Sequence, residues 1–343
     1  MELPRASPAE VGLDGEVLSG LVPQFEAWTA AKLHSALILR HGKLAFEHYF
    51  KADDWAWATL LGEVAFDADT RHDMRSVTKS VTSLLFGIAR DRGLIGCLDT
   101  PALDYFPELA DLRTAHTSAI TLRHLLTMSA GLAWDEALPY SDRRNSERQM
   151  IDAPDQLRYI FSRPGVRPPG ATWQYNGGCT AALAHVVARA AGRPFEEFAE
   201  EALFGPLGIQ DAEWIRCYAD GTVNACSGLR LTPRDMAKLG LVALNRGAGL
   251  VSPGWIEESL TPWQNADGLW FYGYQWWLGR SLVRRREVRW AQAMGHGGQR
   301  IFVVPELDMV VVVTAGLYHD GPFQAVPGEV VLRRYALSSA IPA

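Results

Sequence analysis

Lysine is the scarcest charged residue type in this chain. Only Lys32, Lys43, Lys51, Lys79 and Lys238 occur among 343 residues, and Asp plus Glu outnumber Lys plus Arg by 39 to 33. The formal net charge of −6 excludes nucleic acid as a default partner, because phosphate binding needs a basic face. Arg284, Arg285, Arg286 and Arg289 are a local exception, expected as a solvated hairpin edge, since charged edges discourage strand pairing. Cysteine is also sparse. Cys97, Cys179, Cys217 and Cys226 form no CxxC pair, so neither a disulfide scaffold nor a zinc site is suggested. Long apolar runs are missing: the most apolar stretch, MVVVVTAGLY, is too short to span a bilayer and reads as a buried strand. The start, MELPRASPAE, lacks the basic-then-apolar pattern of a secretory signal. No membrane partner is expected, and the expected location is cytoplasmic.

Several chemical signatures are absent too. There is no G-x-S-x-G elbow for an α/β-hydrolase, no H-E-x-x-H metal spacing, no P-loop and no G-x-G-x-x-G fingerprint. No metal and no cofactor are expected.

What is present is patterned at both ends. SALILR, a turn at HGK, and LAFEHYF read as an antiparallel hairpin, as do IFVV, PELD and MVVVVTA. Between them the chain is mostly helical. Apolar residues recur at helical spacing from Ser76 to Arg92. Thr121 caps a second helix, Thr180 to Gly192 forms a third, and Thr232-Pro233 and Ser252-Pro253 open two more. Strands at both termini with helices between them predict an α+β fold. It is a single domain over 1–343: an antiparallel sheet built from N- and C-terminal strands, flanked by helices, with a largely helical insertion. The expected subdomains are α/β over about 1–95 and 265–343, and helical over about 96–264. Twelve tryptophans, including Trp270, Trp276 and Trp277, exceed what such a core requires, and some could wall a pocket for an apolar or extended substrate.

Within RSVTKSVTSLL, Ser76 and Lys79 stand three apart and share one helix face. A serine hydroxyl is a poor nucleophile until a neighbouring base takes its proton. A lysine serves when desolvation or nearby positive charge lowers its pKa. The first-turn amides of the helix can face an oxyanion forming beside the serine. One short segment thus offers nucleophile, proton acceptor and part of an oxyanion hole.

The stretch RHDMRSVTKSVTSLLFGIARDRGLIGCLDTPALDYFPEL, with ITLRHLLTMSAGL, PPGATWQYNGG, LFGPLGI, GLRLTPRDMAKLG, YGYQWW and GHGGQRIFVVPELDMVVVVTAG, resembles the serine β-lactamase and penicillin-binding superfamily. The likeness is to its class C branch, which includes carboxylesterases, D-aminopeptidases and nylon-oligomer hydrolases, and it runs from about residue 30 to 320. The family's S-x-x-K matches Ser76 to Lys79. Its Tyr-x-Asn corresponds to Tyr175-Asn176-Gly177, with glycine in the third place. Its Lys-Thr-Gly, often His-x-Gly in esterase-like branches, corresponds to His296-Gly297-Gly298. The resemblance implies that Ser76 is acylated, that Lys79 and Tyr175 share the proton work, and that the N–H groups of Ser76 and Gln299 hold the oxyanion. His296, Gly297, Gly298 and Asn176 would contact substrate.

Two departures bear on specificity. His296 is largely neutral at pH 7, where a lysine would fix a β-lactam carboxylate, and Gly177 lacks the family's amide. An ester or amide substrate is therefore favoured over a β-lactam. A β-lactamase or a D-amino-acid or nylon-oligomer-like amide hydrolase is one alternative, and a non-catalytic binder on the same scaffold another. The loop AWDEALPYSDRR places Trp134 and Tyr140 as candidate substrate contacts, and Asp135 or Glu136 as a carboxylate that could hold an amine. A small-molecule substrate and a monomer or homodimer are expected.

Overall fold

Two hairpins meet at the centre of the molecule, whose computed structural model describes residues 1–57 and 59–340. β1 (Leu33–Arg40) and β2 (Lys43–Tyr49) are joined by His41 and Gly42, both at positive φ, the backbone a tight hairpin turn requires. Along the chain follow β3 (Lys51–Ala56), β4 (Thr59–Ala65), β5 (His72–Asp73), β6 (Glu213–Trp214), β7 (Leu229–Leu231) and β8 (Gln264–Asn265). β9 (Phe271–Tyr272), β10 (Trp277–Val283), β11 (Arg286–Gly295), β12 (Gln299–Val304) and β13 (Met309–Ala315) complete the set. The main sheet runs β2-β1-β13-β12-β11-β10-β9-β8. β1 pairs antiparallel with β13, from Leu33 opposite Ala315 to Arg40 opposite Met309. The two ends of the sequence are therefore neighbours, as the strand pattern predicts.

Side-chain alternation divides the apolar residues between two faces. Leu37, Leu39, Ile301, Val303, Val310 and Val312 join the core shared with the central helices. Ala36, Ile38, Phe302, Val304, Val311 and Val313 face a second core closed by Leu18, Leu21 and Phe25 and by Val331, Leu332 and Tyr335. A strand buried on both faces needs a continuous apolar run, which explains MVVVVTA.

Two local expectations are revised and one is met. The helix expected from Thr180 begins at Gly177, because the Asn176 side chain accepts the Cys179 N–H and caps it. The arginine run lies on a solvated hairpin, as expected: Arg284 and Arg285, at φ 47° and 66°, turn the chain between β10 and β11, and Arg286 and Arg289 are exposed on β11 before its pairing with β12 begins at Ala291. The Pro233–Leu244 helix, expected with the helical part, instead lies on the sheet. A Cβ at Gly240 would meet Val310 at 2.5 Å and Ile301 at 2.9 Å. Among the described residues no helix is long and apolar enough to cross a membrane.

Candidate active site

Ser76 caps the Val77–Asp91 helix, whose buried face anchors it in the main core. The preceding Arg75 holds φ at 47°, a conformation that costs a non-glycine residue about 1–3 kcal/mol and persists only where its surroundings enforce it. Here the guanidinium is tied to Asp73 at 3.1 Å, donates to the Trp57 carbonyl at 2.7 Å, and lies over the Trp57 and Tyr318 rings. The chain turns sharply at this point and sets the Ser76 hydroxyl half-exposed at the helix mouth. The amides of Val77, Thr78 and Lys79 donate to the carbonyls of Met74, Arg75 and Ser76.

One helical turn on, Lys79 is 1% exposed. Its Nζ donates to Ser76 Oγ at 3.0 Å and to the Cys226 carbonyl at 3.1 Å. The Tyr175 ring centre lies 5.0 Å from the same Nζ, and hydrogen bonding to Ser76 stabilises the Tyr175 phenolate. Hydroxyl, amine and phenol converge although they are remote in sequence. Behind Tyr175 stands an aromatic wall of Trp173, Tyr272, Trp277 and Trp270, with Met128 and Met294.

The opposite side is the His296-Gly297-Gly298 turn. His296 Nε2 lies 2.6 Å from the Tyr318 carbonyl, so it must carry the proton. Gly297 and Gly298 adopt φ of 85° and 102°. A Cβ at Gly297 would strike the Tyr318 ring at 2.4 Å, and one at Gly295 would strike the Met74 carbonyl at 2.2 Å. Glycine is thus what lets this turn close onto the segment entering Ser76. Arg300 clamps it from below by donating to the carbonyls of Gly295 and Gln299.

A family model, described as Beta-lactamase, matches residues 25–332. The chain belongs to the Beta-lactamase family. It is 26% identical over 330 residues to the 6-aminohexanoate-dimer hydrolase of Paenarthrobacter ureafaciens, covering 90% of this chain and 79% of that one. A shorter match, 29% over 156 residues, links it to monacolin J acid methylbutanoyltransferase of Aspergillus terreus, with 42% of this chain and 38% of that one covered. Among solved structures, EstCE1, a hydrolase with promiscuous acyltransferase activity, superposes with a TM-score of 0.74 at 15% identity, covering 95% of this chain and 98% of that one.

Beside the lysine stands a pair of carboxyls, Glu147 buried and Glu136 half-buried. Glu147, on the Ser146–Ile151 helix, places Oε2 4.0 Å from Lys79 Nζ. It accepts hydrogen bonds from Tyr140 at 2.9 Å and from Ser227. Glu136 takes the Trp134 indole N–H and the Gly177 N–H on one oxygen and shares a hydrogen bond with Glu147. Burial, then the charge of Glu147, pushes the Glu136 pKa up to about 8. Burial also works against the Glu147 anion, but Lys79 and the hydrogen bonds of Ser227, Glu136 and Tyr140 outweigh it, and its pKa is lowered. At neutral pH the pair therefore holds one proton and one negative charge.

That charge decides the state of the lysine. Burial alone would lower the Lys79 pKa, but the charges that Tyr175, Glu147, Cys226 and Glu136 carry when ionised more than offset it and hold it well above the ordinary value, and of these Glu147 is the one ionised at neutral pH. Lys79 therefore rests as an ammonium, without the lowered pKa that a free-amine base needs. Burial chiefly raises Tyr175 to about 12, so it rests as a phenol. Burial likewise lowers His296 below the usual imidazole value, leaving it neutral.

The remaining candidates divide. Tyr140 is half-exposed, with its ring 5.8 Å from that of His296. Trp134 is not on the rim: it is 6% exposed and belongs to the main core. Asn176, 3% exposed, is committed to capping its helix. Gln299 turns its side chain away to the Ala315 carbonyl and the Tyr318 hydroxyl. Asp135 stays exposed and accepts from the Ala137 amide. Glu147 escaped sequence reasoning, since a glutamate in the first turn of a helix reads as dipole compensation.

Proposed function

We propose that the chain is a serine hydrolase working through an acyl-enzyme on carboxylic esters or amides, with esters the better substrates. The 3.0 Å contact between Lys79 Nζ and Ser76 Oγ, with Tyr175 against both, carries this reading. Ser76 Oγ attacks the carbonyl carbon and its proton leaves through the lysine–tyrosine pair. Both partners rest protonated, so one must first pass a proton on. Glu147 is the acceptor within reach of Lys79. Ammonium–carboxylate and amine–acid are both neutral as pairs, so this exchange moves no net charge into the low-dielectric interior. The developing oxyanion is assigned to the N–H groups of Ser76 and Gln299. The proton returns to the leaving alcohol or amine, and water then attacks the acyl carbon.

Substrate preference follows from charge and shape. A neutral His296 gives a β-lactam carboxylate no fixed cation, and the wall of Trp173, Trp270 and Trp277 suits an apolar acyl or alcohol group. Glu136, the carboxyl that could have met a substrate amine, is bonded inward to Trp134 and Gly177. An amide with a free amine, as the name of the 6-aminohexanoate-dimer hydrolase suggests, is the second reading. Short-chain p-nitrophenyl esters, nitrocefin and amino-terminal amides assayed side by side separate these readings. Esters are expected to turn over fastest, and Ser76→Ala is expected to abolish both turnover and fluorophosphonate labelling. A nitrocefin rate equal to the ester rate, or a wild-type chain that no fluorophosphonate labels, would overturn the proposal.

A further inference from the structure

A second cluster lies on the other side of Arg75, where no reaction step has been placed. His34 on β1, Asp54 on β3 and His72 on β5 are 0%, 2% and 0% exposed. Their donor atoms all fall within 4.8 Å of one another. The two Nδ1 atoms are 3.3 Å apart, and His34 Nδ1 is 3.8 Å from Asp54 Oδ1. We infer that His34, Asp54 and His72 form a binding site for one tetrahedral divalent transition-metal ion, with zinc the best match.

The geometry carries the inference first. Two imidazole nitrogens bound at about 2.0–2.1 Å to a tetrahedral ion stand about 3.3 Å apart, the spacing found here. The 3.8 Å from His34 Nδ1 to Asp54 Oδ1 exceeds the spacing of two donors on one such ion, so Asp54 must move inward by a side-chain adjustment to reach the same point. Its Oδ1, buried, accepts no hydrogen bond from protein, an expensive state for a carboxylate oxygen. The neighbouring cations are engaged with other acids: Arg75 and Arg230 both pair with Asp73, and Arg230 also with Glu213.

The surroundings of His34 are those of a metal ligand, whereas the buried Nε2 of His72 has no hydrogen-bond partner among the described residues. His34 Nε2 lies 3.0 Å from the Asp53 carbonyl, which can only accept, so the proton sits there and Nδ1 keeps its lone pair. A backbone carbonyl on the distal nitrogen is the usual way to orient a metal-binding imidazole. Phe66 stacks on His34 at 3.9 Å and on His72 at 5.0 Å, sealing the site. Three protein donors leave the fourth position to water or to the second oxygen of Asp54. Such an ion would tie β1, β3 and β5 together four residues before Ser76, at the base of the turn that presents it.

The test uses the full chain after dialysis against a chelator, titrated with zinc chloride and, separately, cobalt chloride. Wild type is expected to bind one zinc ion per chain, to melt at a higher temperature when loaded, and to give the intense visible bands of tetrahedral cobalt. Asp54→Asn and His72→Gln are each expected to weaken binding by more than about a hundredfold, beyond the cost of losing a mere supporting partner. Failure of wild type to bind zinc stoichiometrically, or the weak absorption of octahedral cobalt, would leave only a histidine–histidine hydrogen bond and overturn the site. So would binding that survives in both variants, since it would then lie elsewhere. If one variant fails to fold, the other still locates the ion.

Discussion

Removing the negative charge beside Lys79 should convert it from a resting ammonium toward a free amine. Glu147 Oε2 is 4.0 Å from Nζ, and both groups are buried. At that distance and an effective dielectric of about 20 the attraction is about 4 kcal/mol, equivalent to a lysine pKa about three pH units lower once it is lost. Glu147→Gln alone should achieve less. Glu136 shares the pair's proton, and it can ionise in place of Glu147 and restore part of the charge. The double variant Glu136→Gln with Glu147→Gln removes the charge altogether and should show the full effect. Scarcity of lysine makes the measurement clean, because selective 13C labelling gives signals from five residues only. In wild type the Lys79 signal should titrate above the exposed lysines. In the double variant it should titrate about three pH units lower than in wild type, with the single variant between. A Lys79 signal that titrates at the same pH in wild type and double variant would refute the reasoning. The rate profile should change as well. The acidic limb of kcat/KM, set in wild type by protonation of Glu147 below the ordinary carboxylate range, should move up to the new lysine pKa.

Three further outcomes follow from the same cluster. Glu136 holds a proton in the folded chain that the unfolded chain releases between about pH 4.5 and about 8, so its contribution to stability falls as pH rises through that window. Urea denaturation at pH 5 and pH 8 should show that fall shrinking in Glu136→Gln. Restoring the family asparagine with Gly177→Asn should cost about 1–3 kcal/mol by overpacking, because a Cβ there meets Glu136 Oε1 at 2.8 Å. Melting temperature should recover when Glu136→Ala is added. Tyr175→Phe should slow fluorophosphonate labelling of Ser76 by about 10²–10⁴-fold with little change in melting temperature, and labelling at the wild-type rate would remove Tyr175 from the proton path.

What could be read in advance was whatever depends on neighbours in sequence. The Ser76–Lys79 pairing rests on helix geometry alone. The strands rest on alternation and β-branched content, and the Thr121, Thr232 and Ser252 caps on a hydroxyl three residues from an amide. The Asn176 cap was equally local, and asparagine is among the strongest N-cap residues. It was missed because the motif frame assigned that residue to substrate. Groups that set the charge state of the site were invisible for a different reason. Glu136, Glu147 and the Cys226 carbonyl reach Lys79 from two other segments of chain, and nothing at their own positions marks them as buried. His34, Asp54 and His72 are the extreme case: three strands bring them together, at a spacing no motif describes. Gly177 joins the two kinds of information. In sequence it reads as a lost amide, a subtraction from substrate binding. In the structure its missing Cβ is the space occupied by Glu136 Oε1, 2.8 Å from where that atom would lie. The change from asparagine to glycine is thus coupled to the carboxyl pair, and through the pair to the protonation of Lys79. A departure from the family pattern at one residue is therefore a statement about the base, not only about the substrate.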